Sequence, residues 1–240
     1  MPSFSLTLRR LGEVAERTMA FHFEKPSGFQ FKAGQTLDYT LLNPPQTDAE
    51  GNTRTFSIAS APQDEEIVFA TRMRDTAFKR VMESMPIGAT VEAEGPMGSF
   101  TLHNNAAKPA VFLTGGIGIT PFRSIIRDAS ARKLSHQLWL FYSNNRSEDA
   151  AFFDELQELA AATPTFHFVP TMTGMAKSSR EWDGETGLID QKMLTGRLGE
   201  LHGPIYYAAG PPAMVAAMRE MLLKAGVDED DVRAEDFAGY

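Results

Sequence analysis

Arg54, Phe56 and Ser57 lie within four residues of one another and bring together a permanently charged guanidinium, an aromatic face and a small hydroxyl. A flavin dinucleotide needs that set: a charge for its pyrophosphate, a surface for its flat ring, and a donor or acceptor near the ring's edge. The stretch runs Arg54-Thr55-Phe56-Ser57-Ile58-Ala59-Ser60. It follows a loop of turn formers from Asn43 to Asn52 and is closed by Pro62, which frames a short strand. An ordinary edge strand would carry the same residue types, so further support has to come from the rest of the chain.

Three more stretches supply it. Gly95-Pro96-Met97-Gly98-Ser99-Phe100 holds two glycines that permit close backbone approach, or that simply make a connector turn. Gly115-Gly116-Ile117-Gly118-Ile119-Thr120-Pro121 follows the apolar run Ala110–Thr114 and opens a helix. In that context backbone N–H groups and the helix dipole face an anion, and glycine lets a pyrophosphate approach. Tight strand–helix packing is the plain alternative. The Gly-Lys-Ser/Thr ending of a nucleoside-triphosphate loop is absent, and Pro121 stands where the usual dinucleotide fingerprint has its third glycine. Last, Tyr206-Tyr207-Ala208-Ala209-Gly210-Pro211-Pro212-Ala213-Met214 is again a strand running into a helix. Ligands of open parallel sheets gather at the carboxyl ends of strands, so Gly115–Thr120 and Gly210–Pro212 can flank one ligand. A double proline can also be a mere helix start.

The elements that position these stretches fall into two groups. Up to about residue 100, Ser3–Leu11, Thr18–Glu24, Gln35–Leu42, Thr53–Ser60, Glu66–Met73 and Thr90–Glu94 are short, rich in β formers and punctuated by Gly12, Gly28, Gly34, Gly51 and Gly88. They predict an antiparallel barrel, closed or nearly so. One helix is expected from Thr76, as its cap, to about Met85. From Lys108 on, Ala110–Thr114, Gln137–Tyr142, Thr165–Pro170 and Pro204–Ala208 are compact apolar runs, as in strands buried on both faces. Helices are expected between them from Pro121 to about Arg132, from Ser147 to about Ala162, and from Pro212 to Ala225. Alternation of this kind predicts a parallel, Rossmann-like sheet with crossover helices. The domains are therefore expected at residues 1–105 and 106–240.

Composition narrows the chemistry. The 240 residues include no cysteine, which removes disulfides, iron–sulfur clusters and thiol nucleophiles, and the five histidines are scattered, so no metal site is expected. The net charge is −8, with 10 basic against 13 acidic residues up to residue 105 and 13 against 18 after it. Neither half is basic, which argues against nucleic acid and anionic membrane as partners. No apolar run has the length of a membrane span, and the start lacks a basic region followed by an apolar one. The expectation is a cytoplasmic monomer.

The motifs in order, Arg-x-Phe-Ser-x-x-Ser, Gly-Pro-x-Gly-x-Phe, Gly-Gly-x-Gly-x-Thr-Pro, Gly-Pro-Pro and a C-terminal Glu-x-Phe, resemble those of the ferredoxin–NADP(+) reductase superfamily over nearly the whole chain. The resemblance implies an FAD-binding barrel followed by an NAD(P)-binding domain. It implies that Arg54, with Thr55 beside it, binds the FAD pyrophosphate, that Phe56 packs on the flavin region, and that Ser57 bonds near flavin N5. Ala70, Thr71, Arg72 and Met73 would run along the flavin's polar edge, and Thr76, Ala77 and Phe78 would add helix-start donors to the pyrophosphate. Gly115, Gly116, Gly118, Ile119, Thr120 and Pro121 would hold the nicotinamide dinucleotide, with Gly210, Pro211 and Pro212 shaping the nicotinamide pocket. Glu235 and Phe237 match the C-terminal acid and aromatic, although Tyr240 is a second candidate for the aromatic. Ser57, Glu235 and Phe237 are thus the expected catalytic residues. The chain departs from the family at Phe56, usually tyrosine, and at Ala209, where many members carry cysteine.

Ser143-Asn144-Asn145-Arg146, after the second parallel strand, lacks the acid that accepts from a ribose diol, and Ser143 and Arg146 suit a 2′-phosphate. NADP is therefore expected over NAD, with Lys177 and Arg180 as possible further charges. Electrons would leave to a separate acceptor: a ferredoxin, a flavodoxin, a haem protein, an oxygenase component or a small molecule. Arg72, Arg74, Lys79 and Arg80 form a basic cluster that either docks an acidic carrier or serves the pyrophosphate. Two other readings stay open: a flavin-binding redox sensor or subunit with little turnover, and a dinucleotide-binding protein without flavin.

Overall fold

A computed structural model describes residues 3–237. Six strands make an antiparallel sheet: β1 (Ser3–Ala15), β2 (Thr18–Glu24), β3 (Thr36–Leu41), β4 (Thr53–Ser57), β5 (Glu66–Arg72) and β6 (Thr90–Met97). Their order is β4-β3-β6-β1-β2-β5. The two edges meet beyond β4, where the Ala59 N–H donates to the Val68 carbonyl at 2.6 Å and the Val68 N–H to Ser60 Oγ at 3.0 Å. The sheet is thereby a nearly closed barrel, filled by Leu6, Phe21, Phe23, Leu37, Tyr39 and Phe69.

Two expectations are corrected here. Gly12 does not end β1; it sits inside the strand opposite Ala20, and the β1–β2 hairpin turns at Glu16-Arg17, with Arg17 left-handed at φ 57°. Nor does β4 run to Ser60, because Ile58–Ser60 leaves β3 and crosses to β5. Helix α1 (Ala77–Glu83) is capped as expected by Thr76, whose side chain accepts from the Lys79 N–H.

The second sheet is parallel throughout: β7 (Ala110–Gly115), β8 (Leu138–Asn144), β9 (Phe166–Met172), β10 (Glu185–Thr186), β11 (Ile205–Gly210) and β12 (Val232–Asp236), ordered β10-β9-β8-β7-β11-β12. Every residue of β7 and β11 is buried, which accounts for their unbroken apolar runs. Helices α2 (Ile119–Ala131), α3 (Phe153–Ala162), α4 (Gln191–Leu198) and α5 (Pro212–Lys224) connect or flank these strands. The single helix expected from Ser147 is two pieces, a 3-10 turn at Ser147–Asp149 and then α3. Phe152, left-handed at φ 60°, breaks between them. Helix α4 was not expected, since Gly196 lowers its helix propensity; Asp190 caps it by accepting from the Met193 N–H at 2.7 Å.

The two sheets are joined directly. Arg123 of α2 donates to the Ala59 carbonyl at 2.7 Å, and Ser124 Oγ to the Ser60 carbonyl at 2.6 Å. The Arg123 guanidinium also lies over the Phe152 ring at 4.3 Å and bonds Glu155. One apolar cluster runs across the seam, from Ala59, Val68 and Ala70 to Phe122, Ile125 and Ala209.

Candidate functional site

Alternation along β4 puts Arg54 and Phe56 on one face and Thr55 and Ser57 on the other. The Phe56 ring is half-buried, stacked on Phe69 at 4.3 Å with the planes 3° apart, and Phe78 lies beside it at 5.9 Å. Ser57 is buried, and its hydroxyl has no hydrogen-bond partner among the described residues. A buried polar group without a partner is costly, and is the kind of atom a ligand satisfies. Thr55 is exposed and bonds Asp38.

Arg54 is not free. Its Nη2 bonds Glu50 Oε2 at 2.8 Å and Asp48 Oδ1 at 3.4 Å, and its Nη1 reaches the carbonyls of Glu50, Gly51 and Thr53. The other Asp48 oxygen accepts the Ala77 N–H at 2.9 Å, at the start of α1. The two acids precede Arg54 by six and four residues in what looks, by composition, like a solvated loop, and sequence reading missed them. Ala70 and Thr71 are buried on β5; Met73 is tied by its N–H to the Arg17 carbonyl at 2.7 Å. Lys79 donates to the Arg72 carbonyl at 2.7 Å, and burial, followed by the charges of Arg74 and Arg54, lowers its ammonium to about 8.

On the α/β side, Gly115 ends β7, Gly116–Gly118 makes a 3-10 turn with Gly116 left-handed at φ 54°, and α2 begins with Ile119, Thr120 and Pro121, all buried. Thr120 Oγ1 closes the turn on the Ile117 carbonyl at 3.1 Å. A Cβ on Gly118 would lie 2.4 Å from the Ala209 carbonyl oxygen and 2.6 Å from Gly210 Cα. Backbone contact between the two glycine loops therefore requires Gly118 by itself. The Met214 side chain lies over both Gly115 and Gly210. Pro211 precedes α5 and Pro212 opens it.

The two sides meet where the Gly116–Gly118 turn lies against β5. Glu235 pairs in register with Ala209, and its Oε2 is buried without a partner among the described residues. Burial, with Asp236 beside it, raises its carboxyl above the ordinary value of 4.5. Phe237 is half-buried against the cluster that contains Ala70 and Ala209, and its N–H donates to the Gly210 carbonyl at 3.0 Å. Tyr240 lies outside the described residues.

Ser143 pairs with Gly115 on β7, at the end of the sheet where the loops gather. Arg146 holds Asp149 through three contacts, Nε to Oδ2 at 3.0 Å, Nη2 to Oδ1 at 2.8 Å and its main-chain N–H to Oδ2 at 3.1 Å, and reaches Glu16 at 2.9 Å. Asp149 in turn takes Arg72 at 3.3 Å. Asp149 therefore does not serve the first turn of α3, which carries Asp154 and Glu155 instead. Glu148 bonds Ser178 and Ser179 of the loop after β9. Of the basic cluster, Arg72 is tied to Asp149 and Arg80 to Asp75 and Gln46.

An orphaned Ser57 hydroxyl, an aromatic ring backed by Phe69, and the cations Arg54 and Lys79 around one helix start fit a flavin dinucleotide. Comparison with known proteins points the same way. The oxidoreductase NAD-binding domain family matches residues 112–220. Ferredoxin–NADP reductase B of Sorangium cellulosum (strain So ce56) is 28% identical over 230 residues, covering 92% of this chain and 91% of that protein. The reductase component of phenol 2-monooxygenase from Pseudomonas sp. (strain CF600) is 27% identical over 230 residues, covering 95% of this chain. The crystal structure of a ferredoxin NADP+ reductase from Neisseria gonorrhoeae with bound FAD and NADP superposes with a TM-score of 0.82 over 98% of each chain, at 20% identity. The chain has the fold of the ferredoxin–NADP(+) reductase superfamily. The NAD-binding match and these likenesses support FAD and NAD(P) as its cofactors. The chain spans 63% of the length of the phenol 2-monooxygenase reductase component. Among its described residues no helix is long and apolar enough to cross a membrane.

Proposed function

We propose that this protein, with residues 1–105 as the flavin unit and 106–240 as the nucleotide unit, oxidises NAD(P)H and passes the electrons to a separate acceptor. When bound, FAD supplies a group that takes a hydride from nicotinamide and gives electrons up one at a time. The chain's own part is to bind, orient and exclude water. Arg54 and Lys79 neutralise the pyrophosphate, Phe56 offers its ring, and Ser57 offers its unpartnered hydroxyl near the reacting edge. Gly116 and the start of α2 receive the dinucleotide, Gly210–Pro212 walls the nicotinamide side, and Phe237 covers that approach until nicotinamide arrives. Glu235 offers its buried, unpartnered Oε2 at the seam.

The observation that carries this reading is the latch of α2 onto the segment after β4. Arg123 and Ser124, two and three residues past the nucleotide loop, bond the carbonyls of Ala59 and Ser60, two and three residues past Ser57. These bonds support reading the two motifs as parts of one site.

The acceptor is a separate carrier such as a ferredoxin or a flavodoxin, or the oxygenase component of a multicomponent system. This is supported by the ferredoxin–NADP reductase and the oxygenase reductase components among the relatives. We take the protein to be a cytoplasmic monomer, which gel filtration against mass standards tests. Anaerobic titration of the yellow protein with NADPH and with NADH is the test of the activity, followed by a screen of acceptors. Bleaching by either nucleotide is expected. Yellow protein that neither nucleotide bleaches would favour the second reading, a flavin-binding module with little turnover. The burial of Ala209, whose carbonyl is bound by Thr114 Oγ1 at 2.8 Å, favours that module, because no reactive side chain stands there.

A further inference from the structure

Asp48 bridges the two donors that the FAD reading gives to a diphosphate. One of its oxygens accepts the Ala77 N–H at 2.9 Å; the other lies 3.4 Å from Arg54 Nη2 and also accepts the Glu50 N–H at 3.0 Å. Its carboxyl is held below the ordinary value, first by the Ala77 N–H and then by the Glu50 N–H and Arg54, so it is an anion at neutral pH. A carboxylate that spans a guanidinium and a main-chain N–H offers them the charge and paired acceptors that a phosphate would. Glu50 shares Arg54 but is 70% exposed, and no other described residue fixes its carboxylate at the donors. Lys79 stands at the same helix start, where burial first and then the charges of Arg74 and Arg54 lower its ammonium, with Glu50 opposing them.

Resting on the FAD reading of Arg54, we infer that Asp48 is an internal competitor for the diphosphate of FAD. Its carboxylate must leave Arg54 and the Ala77 N–H before the diphosphate can take them, so Asp48 sets the affinity of the chain for its cofactor and the rate at which the cofactor enters. A site open only part of the time binds with an affinity reduced by the open fraction. The opposing view is that Asp48 pre-orients Arg54 for the cofactor, and it predicts the reverse effect.

The full-length chain, stripped of flavin, is titrated with FAD and with riboflavin by quenching of flavin fluorescence, for wild type, Asp48→Asn, Asp48→Ala and Glu50→Gln. We expect both Asp48 variants to bind FAD roughly fivefold to tenfold tighter, as a mostly closed site that becomes open should. Association by stopped flow should quicken, and Glu50→Gln should have a smaller effect. Riboflavin has no phosphate, so its affinity should stay the same. FAD affinity that is unchanged or weaker in both Asp48 variants overturns the inference while the FAD reading stands. An equal shift for riboflavin overturns it as well, because a general change in the barrel would then be the cause. Wild type that binds no FAD overturns the cofactor reading, and the inference with it.

Discussion

Arg146 Nη2 donates to Glu16 Oε2 at 2.9 Å, joining the turn after β8 to the β1–β2 turn of the barrel. The same guanidinium holds the buried Asp149, which also receives Arg72 from β5. The residue expected to read a 2′-phosphate is therefore already engaged by two carboxylates, one on each side of the seam.

Arg146→Ala should lower the unfolding free energy, because Asp149 then keeps only the main-chain N–H of residue 146 at 3.1 Å and Arg72 at 3.3 Å. Glu16→Gln should cost under about 1 kcal/mol, since that pair is more exposed. Urea melts of both variants and of the double variant measure this. In steady-state assays of Arg146→Ala, the Michaelis constants for NADPH and NADH should move together. A rise for NADPH alone would return Arg146 to the 2′-phosphate.

Arg54→Ala should purify with most of its flavin lost. A charge-assisted contact to phosphate contributes roughly 1.5–3 kcal/mol, enough to weaken retention tens-fold. The ratio of flavin to protein absorbance after gel filtration reports it. Occupancy equal to wild type would remove Arg54 from the site.

Most of both sheets was legible in the sequence, and little of the side-chain pairing was. Alternation with turn formers marked the barrel strands, and unbroken apolar runs marked β7 and β11, because each pattern follows directly from how many faces of a strand are covered. Phe152 could not be foreseen as a break, since a left-handed aromatic is imposed by tertiary packing, here the Arg123 guanidinium over its ring. Arg146 looked free because its partner Glu16 lies 130 residues away. The partners of Arg54, Asp48 and Glu50, were hidden because they stand in the loop of turn formers before it. Gly118 stands in a run with two readings, and the close approach of the Ala209 carbonyl to it could not be seen in the sequence.

Gly118→Ala should destabilise the protein by about 1–3 kcal/mol, as overpacking does, and weaken NAD(P)H binding by parting the two glycine loops. The clash is with main-chain atoms of Ala209 and Gly210, which cannot rotate away. Gly12→Ala is the control: its Cβ would meet nothing within 4 Å, and it should be neutral or slightly stabilising. Thermal melts and nucleotide titrations of both variants check the pair. Equal melting points for wild type and Gly118→Ala would mean that the loops part freely.

Glu235→Gln should gain stability over wild type as pH rises. The Glu235 carboxyl has a raised value in the folded protein, so folding favours its protonated form. The stability that form contributes is present below the ordinary carboxyl value of 4.5 and is lost as pH rises through the folded value. The neutral variant avoids that loss, so the difference between the two proteins should be small near about pH 4 and favour the variant at about pH 8. Melts across that range that run parallel would show that Glu235 is solvated in the native protein.

The latch between α2 and the barrel is asymmetric in what mutation can do to it. Ala59 and Ser60 contribute only their main-chain carbonyls to Arg123 and Ser124, and a carbonyl is present whatever side chain stands above it. Drift at positions 59 and 60 is therefore limited by volume and by the link from Ser60 Oγ to Val68, while the contact itself persists. On the helix side both bonds reside wholly in two side chains. The heritable information for this latch is thus concentrated in the nucleotide half, whereas the bridges from Arg127 to Asp64, Arg146 to Glu16 and Arg72 to Asp149 need a side chain from each half.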